Sequence, residues 1–353
     1  MKSGTKYFLG SNTNEGFYSL FDELYDPEDN WKVYVIKGGP GCGKSTLMGK
    51  VAGEIEGRGF DVERVMCASD PKSHDAIICR ERKIAMVDGT APHIIEPQYY
   101  GAVEEIVNMG EALDTKVLRA AAGDIRSLCT ANSQCYKKAA NYMKAAASLM
   151  RNSKRLQDEY IDYEKLYNYV IRFAKKNLSG GEGDGRVAYR FLTAVTNEGE
   201  VTFADGFASD YDRIISIDDP IGSVSGQLLD CLLSVAIDCG MNAVAGVSPY
   251  DTEELLQLFF PDKKVGIVRG TSFPATSTIH ASRFIVGDGL KAHKNRITFN
   301  KRAASELIAA AVASLTDAKA IHDEIESIYA SAIDYDAVNS KADAILDKIL
   351  ANI

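Results

Sequence analysis

The 353-residue chain is longer than one typical domain, and 46% apolar with 25% charged residues is ordinary globular material for two cores. Forty basic against 49 acidic residues give a net charge of −9, which speaks against nucleic-acid binding through a basic surface. The seven cysteines (42, 67, 79, 129, 135, 231 and 239) are scattered, odd in number and without C-x-x-C spacing, a pattern that disfavours a disulfide framework or a zinc site and fits a reducing cytoplasm.

The first six residues lack the apolar core of a signal peptide, and no run approaches ~18 uninterrupted apolar residues, so no membrane span is expected. Tyr7-Phe8-Leu9-Gly10 predicts a short strand, Thr13-Asn14-Glu15-Gly16 a polar turn, and Phe17-Tyr18-Ser19-Leu20-Phe21-Asp22-Glu23-Leu24 a helix ending near Pro27. The apolar run Val33-Tyr34-Val35-Ile36 then leads into Gly38-Gly39-Pro40-Gly41-Cys42-Gly43-Lys44-Ser45-Thr46, which opens into Leu47-Met48-Gly49-Lys50-Val51-Ala52. This is G-x-x-x-x-G-K-[ST] between a strand and a helix, the context in which it cradles phosphate.

Each residue type in that stretch has a task. Glycines admit positive φ and close approach of backbone to a polyphosphate. The N–H groups of Gly41, Cys42, Gly43 and Lys44 are expected to converge on phosphate oxygens, at the positive end of the helix that follows. Lys44 supplies an ammonium for the β- and γ-phosphates, Ser45 a hydroxyl for Mg²⁺, and Thr46 a contact to the α-phosphate. The nine residues 38–46 are thus the expected ATP-binding set.

Farther on, Phe60-Asp61-Val62-Glu63-Arg64-Val65-Met66-Cys67-Ala68 predicts a second strand closing on Ser69-Asp70-Pro71. Ile84-Ala85-Met86-Val87-Asp88 predicts a buried parallel strand whose carboxylate emerges at its C-terminal end, where open α/β sheets bind ligands. Asp88 is therefore the candidate to hold Mg²⁺ with Ser45. No glutamate follows Asp88, so the group that orients an attacking oxygen must come from elsewhere: Asp70 or Asp75 beyond strand two, or His93 or Glu96 in Thr90-Ala91-Pro92-His93-Ile94-Ile95-Glu96-Pro97. The candidate catalytic set is Lys44, Asp88, His93 and Asp70. His74 has no partner that spacing indicates.

Residues 102–176 are rich in Ala, Lys and Tyr at helical spacing without proline, which predicts long helices forming a hairpin or small bundle. Between Lys137 and Lys176 ten Lys or Arg face four Asp or Glu, a helical surface that reads first as a solvated face balanced by acidic neighbours, with an acidic protein partner, RNA or DNA as the alternative. Residues 179–186, which follow Leu178, form a Gly-rich link. The Leu-Ser-Gly-Gly-Glu that runs from Leu178 into this stretch falls after Asp88, not between the phosphate loop and that strand, and is therefore not an ABC-type signature.

The chain also repeats itself. Thr13-Asn14-Glu15-Gly16 returns as Thr196-Asn197-Glu198-Gly199, residues 83–90 return as 264–271, and Leu156-Gln157-Asp158-Glu159 is answered by Ile321-His322-Asp323-Glu324. Two halves are expected, 1–178 and 187–353, each with helical extensions. In the second, Asp218-Asp219-Pro220-Ile221-Gly222-Ser223-Val224-Ser225-Gly226 answers the phosphate loop, with Val224 in place of the lysine and two aspartates that repel a polyphosphate. Arg269 replaces Asp88. Only one nucleotide site is expected.

Ile36-Lys37-Gly38-Gly39-Pro40-Gly41-Cys42-Gly43-Lys44-Ser45-Thr46-Leu47-Met48, Ser69-Asp70-Pro71 and Asp88-Gly89-Thr90-Ala91-Pro92-His93 resemble a group of bacterial duplicated P-loop ATPases, sometimes labelled nucleotide kinases. The resemblance covers nearly the whole chain and implies an ATP-using protein with no settled acceptor. In that group both halves tend to carry the loop and the Asp-x-Thr-Ala-Pro-His stretch. Here only the first half does, so nucleotide-binding roles carry over to residues 38–46, Asp88 and His93. The combined expectation is an α/β protein with a P-loop NTPase-type parallel sheet, internally duplicated and with long helical hairpin appendages. It would use ATP and Mg²⁺ for hydrolysis, with a small-molecule kinase or an ATP-gated binding module as alternatives. No Asn/Thr-Lys-x-Asp guanine motif falls in a suitable place, which favours ATP over GTP.

Overall fold

The computed structural model describes residues 4–178, 185–351 and 353, so most of the expected linker lies outside the described residues. In chain order the first strands and helix are β1 (Lys6–Tyr7), β2 (Gly10–Thr13), β3 (Gly16–Ser19), β4 (Lys32–Lys37), α1 (Lys44–Gly57), β5 (Glu63–Met66), β6 (His74–Cys79), β7 (Ile84–Asp88) and β8 (Glu104–Asn108). Helices α2 (Thr115–Ala120), α3 (Ala122–Asp158) and α4 (Tyr163–Asn177) follow. The rest comprises β9 (Val187–Arg190), β10 (Thr193–Thr196), β11 (Gly199–Thr202), α5 (Ala204–Ala208), β12 (Arg213–Asp218), α6 (Ser223–Asp238), β13 (Ala243–Val247), β14 (Leu255–Phe260), β15 (Val265–Arg269), β16 (Ser277–His280), α7 (Lys294–Ala330) and α8 (Tyr335–Leu350).

Two six-stranded sheets run β1-β5-β6-β7-β4-β8 and β9-β13-β14-β15-β12-β16. Neither is the all-parallel sheet the sequence predicts. β6 pairs antiparallel with both β5 and β7, and β14 does the same with β13 and β15. The reason is connection length: β6 and β7 are joined by one short turn through Lys83 in the left-handed region (φ 51°), too short for the crossover a parallel pair needs.

One face of each sheet contributes to a shared core (Val33, Val35 and Val87 with Ile214, Val244, Phe259 and Val268), and a four-stranded sheet, β11-β10-β2-β3, is built from one hairpin of each half. The expected helix at residues 17–24 is instead β3 and a short 3-10 turn. Gly16 at φ 106° and the Thr13 Oγ1 bond to the Gly16 carbonyl (2.8 Å) reverse the chain, so residues 16–19 pair back on β2. The repeated Thr-Asn-Glu-Gly turns are therefore architectural, and the hairpins they close meet at Val195 and Asn12.

The helices do not fold back within their own half as a hairpin. The 37-residue α3 lies along the 37-residue α7, with Ala139, Met143 and Ala147 packed on Ala311 and Leu315. The Asn300 side chain donates to Asn152 (2.9 Å), while Tyr136 and Lys319 both reach the 69–70 loop, so the pair is antiparallel. The alanines at 139, 147 and 311 let the two backbones approach around Met143 and Leu315. Beyond this pair the chain exchanges elements. Leu166, Val170, Phe173 and Ala174 of α4 join the core of the second sheet, and Val338, Ala342 and Ile349 of α8 join that of the first, against α1. Burying an α4 side chain such as Leu166 or Val170 contributes about 1.5–3 kcal/mol, enough to fix where the helix docks.

Candidate functional site

The 38–46 stretch lies at the carboxyl end of β4, which runs parallel to β7 and β8 on either side. Its apolar lead-in is buried, with Val35 and Ile36 fully covered, and Cys42 tucks into the core beneath the loop. Gly41 (φ 74°) and Gly43 (φ 76°) take left-handed conformations that L side chains rarely adopt, the Cys42 N–H closes back on the Gly39 carbonyl (3.4 Å), and α1 begins at Lys44. Lys44 Nζ donates to the carbonyls of Gly38 and Gly39 (both 3.0 Å) and lies 3.6 Å from Asp88 Oδ2. Asp88 Oδ1 accepts from the Thr90 backbone N–H (2.9 Å) and hydroxyl (2.6 Å), which leaves Oδ2 facing the lysine. Thr46 is exposed on the first turn of α1.

The antiparallel strand β6 starts at this same edge and brings residues the spacing could not place. Ala76 pairs with Val87, so the next position carries Asp75 beside Asp88. Asp75 is buried, and burial raises its carboxyl to about 6, with Asp88 adding to the rise and His93 opposing it. His93 is also buried, stacked on Phe21 (4.6 Å, 11°), with Nε2 3.9 Å from Asp75 Oδ1 and neither ring nitrogen hydrogen-bonded. The 88–96 loop that carries it is pinned by Lys37, which donates to the carbonyls of Gly89 and Ile95 and to Glu96 (2.7–2.8 Å).

His74, which spacing left without a partner, touches Ser45: its backbone N–H donates to Ser45 Oγ at 2.9 Å and its Nδ1 lies 3.5 Å away. Burial, with Arg64 and Lys6 nearby, holds its imidazole below the usual histidine range. Asp70 is differently placed. It closes a loop turn by accepting the Lys72 N–H (3.1 Å) and faces Lys319 of α7 (3.6 Å). The structure thus groups Lys44, Ser45, Asp88, Asp75 and His93, whereas the recorded partners of Asp70 lie in its own loop and on α7.

The loop is roofed by the far end of the chain. Tyr329 stands over Gly39, Ile333 and the Glu326 carbonyl over Gly41, and Val338 over Gly43. Short backbone bonds fasten this roof: Asp114 N–H to the Ala332 carbonyl (2.7 Å) and Asp334 N–H to that of Ala112 (2.9 Å).

The second sheet shows what the same edge becomes when its chemistry is internal. Five residues (38–42) separate β4 from Gly43, but three (219–221) separate β12 from the left-handed Gly222. Helix α6 begins at Ser223, so Ser223, not Val224, stands where Lys44 stands. Val224 answers Ser45 and is buried in the core. Asp219 accepts the Ser225 N–H (2.8 Å) and the Gln157 amide (3.2 Å), and Gln157 in turn accepts the Ser223 N–H (3.1 Å). A carboxylate and an amide of the chain itself therefore hold the N–H groups at this helix start. Arg269 donates to Glu254 (3.0 Å) and the Ile221 carbonyl (3.2 Å), and Lys154 closes on the same Glu254. The third repeat match also shifts. Ile161 bridges Ile285 and Ile333 bridges Leu113, so Gln157 corresponds to Tyr329 and not to His322. The mismatch arises because helical tails of similar composition align at several registers.

Of the ten basic side chains between Lys137 and Lys176, Arg151 and Lys154 meet Asp251 and Glu254 of the second half. No helix of the described residues is long and apolar enough to cross a membrane. Compared with protein-family models, curated proteins and solved structures, the chain matches none.

Proposed function

We propose that the chain binds Mg-ATP at residues 38–46 and hydrolyses it to ADP and phosphate, with the first half active and the second a degenerate copy of the same P-loop-type unit. The observation that carries this reading is the glycine loop, left-handed at Gly41 and Gly43, with Lys44 and Asp88 facing each other across 3.6 Å at the carboxyl end of β4 and β7. The donor set fits the ligand: backbone N–H groups and an ammonium for phosphate oxygens, a hydroxyl and a carboxylate for a hard cation that keeps several waters. Ser45 and Asp88 would hold Mg²⁺, which when bound supplies neutralisation of phosphate charge.

The residues around them have separable tasks. Lys44 exchanges its bonds to the Gly38 and Gly39 carbonyls for phosphate oxygens. His74 keeps the Ser45 hydroxyl oriented. Asp75 receives the proton of the attacking water at its carboxylate, since its ionisation near pH 6 lets it exist as a base at neutral pH. His93, with both nitrogens unpaired and Nε2 3.9 Å from Asp75, would hydrogen-bond the attacking water beside that carboxylate.

Strands in matching order and left-handed glycines at both loop ends support the duplication. Asp219 and Gln157, occupying the helix start in the second half, favour a single nucleotide per chain. The roof formed by Tyr329 and Ile333 favours hydrolysis coupled to movement of α7 and α8 over transfer to a free acceptor. ADP release tests the reading: turnover with ATP and Mg²⁺ alone supports it. Release that requires an added acceptor would instead make it a kinase, and binding without turnover an ATP-gated module.

A further inference from the structure

A cavity of about 460 Å³ opens between the first sheet and the four-stranded one, where His74 turns Nε2 to Arg64 and Nδ1 to Ser45. It is lined by the basic Lys6, Arg64, Lys72 and His74, by the carboxylate Glu198, and by the apolar Val201 and Phe203. The charges around it do not cancel. Arg64 is answered by Glu56 (2.8 Å), and Lys72 at the rim by Glu198 (2.6 Å). Lys6 is half-buried and has no hydrogen bond or ion pair among the described residues. Arg64 also donates to His74 Nε2 at 3.0 Å, so the guanidinium is held at the cavity wall by partners on two sides.

A half-buried ammonium without a counter-charge is costly unless something anionic joins it. A carboxylate would neutralise Lys6 alone. A phosphomonoester carries close to two negative charges and three acceptor oxygens, which suits an ammonium beside a fixed guanidinium. The apolar wall calls for more than bare phosphate.

We propose that this cavity binds a phosphomonoester bearing an apolar or aromatic body, its phosphate on Lys6 and Arg64 and its body against Val201 and Phe203. The proposal does not rest on the nucleotide reading of the 38–46 loop. His74 connects the two places physically, because it lines the cavity and bonds Ser45.

Phenyl phosphate, inorganic phosphate and phenol are the probes, titrated calorimetrically in phosphate-free buffer into the full-length Lys44→Ala protein, so that the loop contributes little to anion binding. Phenyl phosphate should bind one-to-one and at least tenfold tighter than either of the other two. Adding Lys6→Gln should weaken it at least tenfold, and Lys6→Arg should restore it to within threefold. No saturable binding of phenyl phosphate, or equal affinity with and without Lys6, would overturn the proposal. Equal affinity for phenyl phosphate and inorganic phosphate would overturn it too, since the apolar wall would then have no role. Saturation-transfer NMR of phenyl phosphate with the unsubstituted protein repeats the test without relying on the variants, and absence of transfer to the ring protons counts against the site.

Discussion

Tyr329, in the last turn of α7, packs so closely on Gly39 that a Cβ there would stand 2.5 Å from the ring. A residue near the C-terminal end of the chain thus covers the first turn of a loop near its beginning. Entry of a triphosphate requires this contact to loosen. Tyr329→Ala should therefore speed association of a fluorescent ATP analogue in stopped flow by roughly tenfold, the effect of ~1.4 kcal/mol removed from an opening step. An unchanged association rate would show that the roof does not gate the loop. Gly39→Ala should push the Tyr329 ring off the loop and lower the melting temperature.

Lys44 gives the direct test of the nucleotide site. Replacing it by alanine removes charge-assisted bonds worth about 1.5–3 kcal/mol each, so Mg-ATP should weaken ten- to a hundredfold or more in a calorimetric titration. Equal affinity in both proteins would defeat the assignment.

Asp75 ties stability to pH. Its carboxyl is raised by burial to about 6, so the folded state holds a proton there that the unfolded chain releases near the ordinary aspartate value. Stability from this group is complete below about pH 4 and is lost as pH rises through about 6. Asp75→Asn should accordingly gain on the wild type by on the order of 2–3 kcal/mol between pH 4 and pH 8 in urea melts, while losing ATP turnover. A difference between the two proteins that does not change with pH would contradict the assignment.

Glu63 runs the other way. Burial alone would raise it, but Arg190 and Arg80 outweigh that and hold it at about 2. Its contribution is present above about pH 4.5 and disappears as pH falls through about 2. Because Arg190 belongs to β9 and Glu63 to β5, at 3.4 Å, this pair joins the two halves. Glu63→Gln should cost about 3 kcal/mol at pH 7 by leaving two guanidiniums under-compensated, and less as pH falls. Denaturant midpoints at pH 7 and pH 3 decide it.

In the second half, Val224→Lys should not create a nucleotide site. Val224 is fully buried, so a lysine there would unfold or strongly destabilise the protein by placing an ammonium in the core. Ser223→Lys, at the position that answers Lys44, should also bind nothing, because Asp219 and Gln157 already hold the helix start. Calorimetry should give one ATP per chain in the unsubstituted protein, and a stoichiometry of two would contradict the one-site reading.

The strand–loop–helix unit at 32–57 was legible because its chemistry is local: glycines, lysine and hydroxyl fall within nine consecutive residues, and the flanking apolar runs have clear periods. Asp88 was legible for the same reason, as an acid closing a buried run. The long helices could be read from spacing, but not their partners, since an Ala-rich stripe such as that of α3 fits many surfaces. What the tertiary structure decided is everything that depends on register between distant strands. An antiparallel β6 sets Asp75 beside Asp88 and His74 against Ser45, and the C-terminal turns of α3 and α7 carry Gln157 to one loop and Tyr329 to the other before α4 and α8 dock on the opposite sheets. Those pairings are fixed by burial and backbone bonding summed over the whole chain, a quantity that no single window of residues contains.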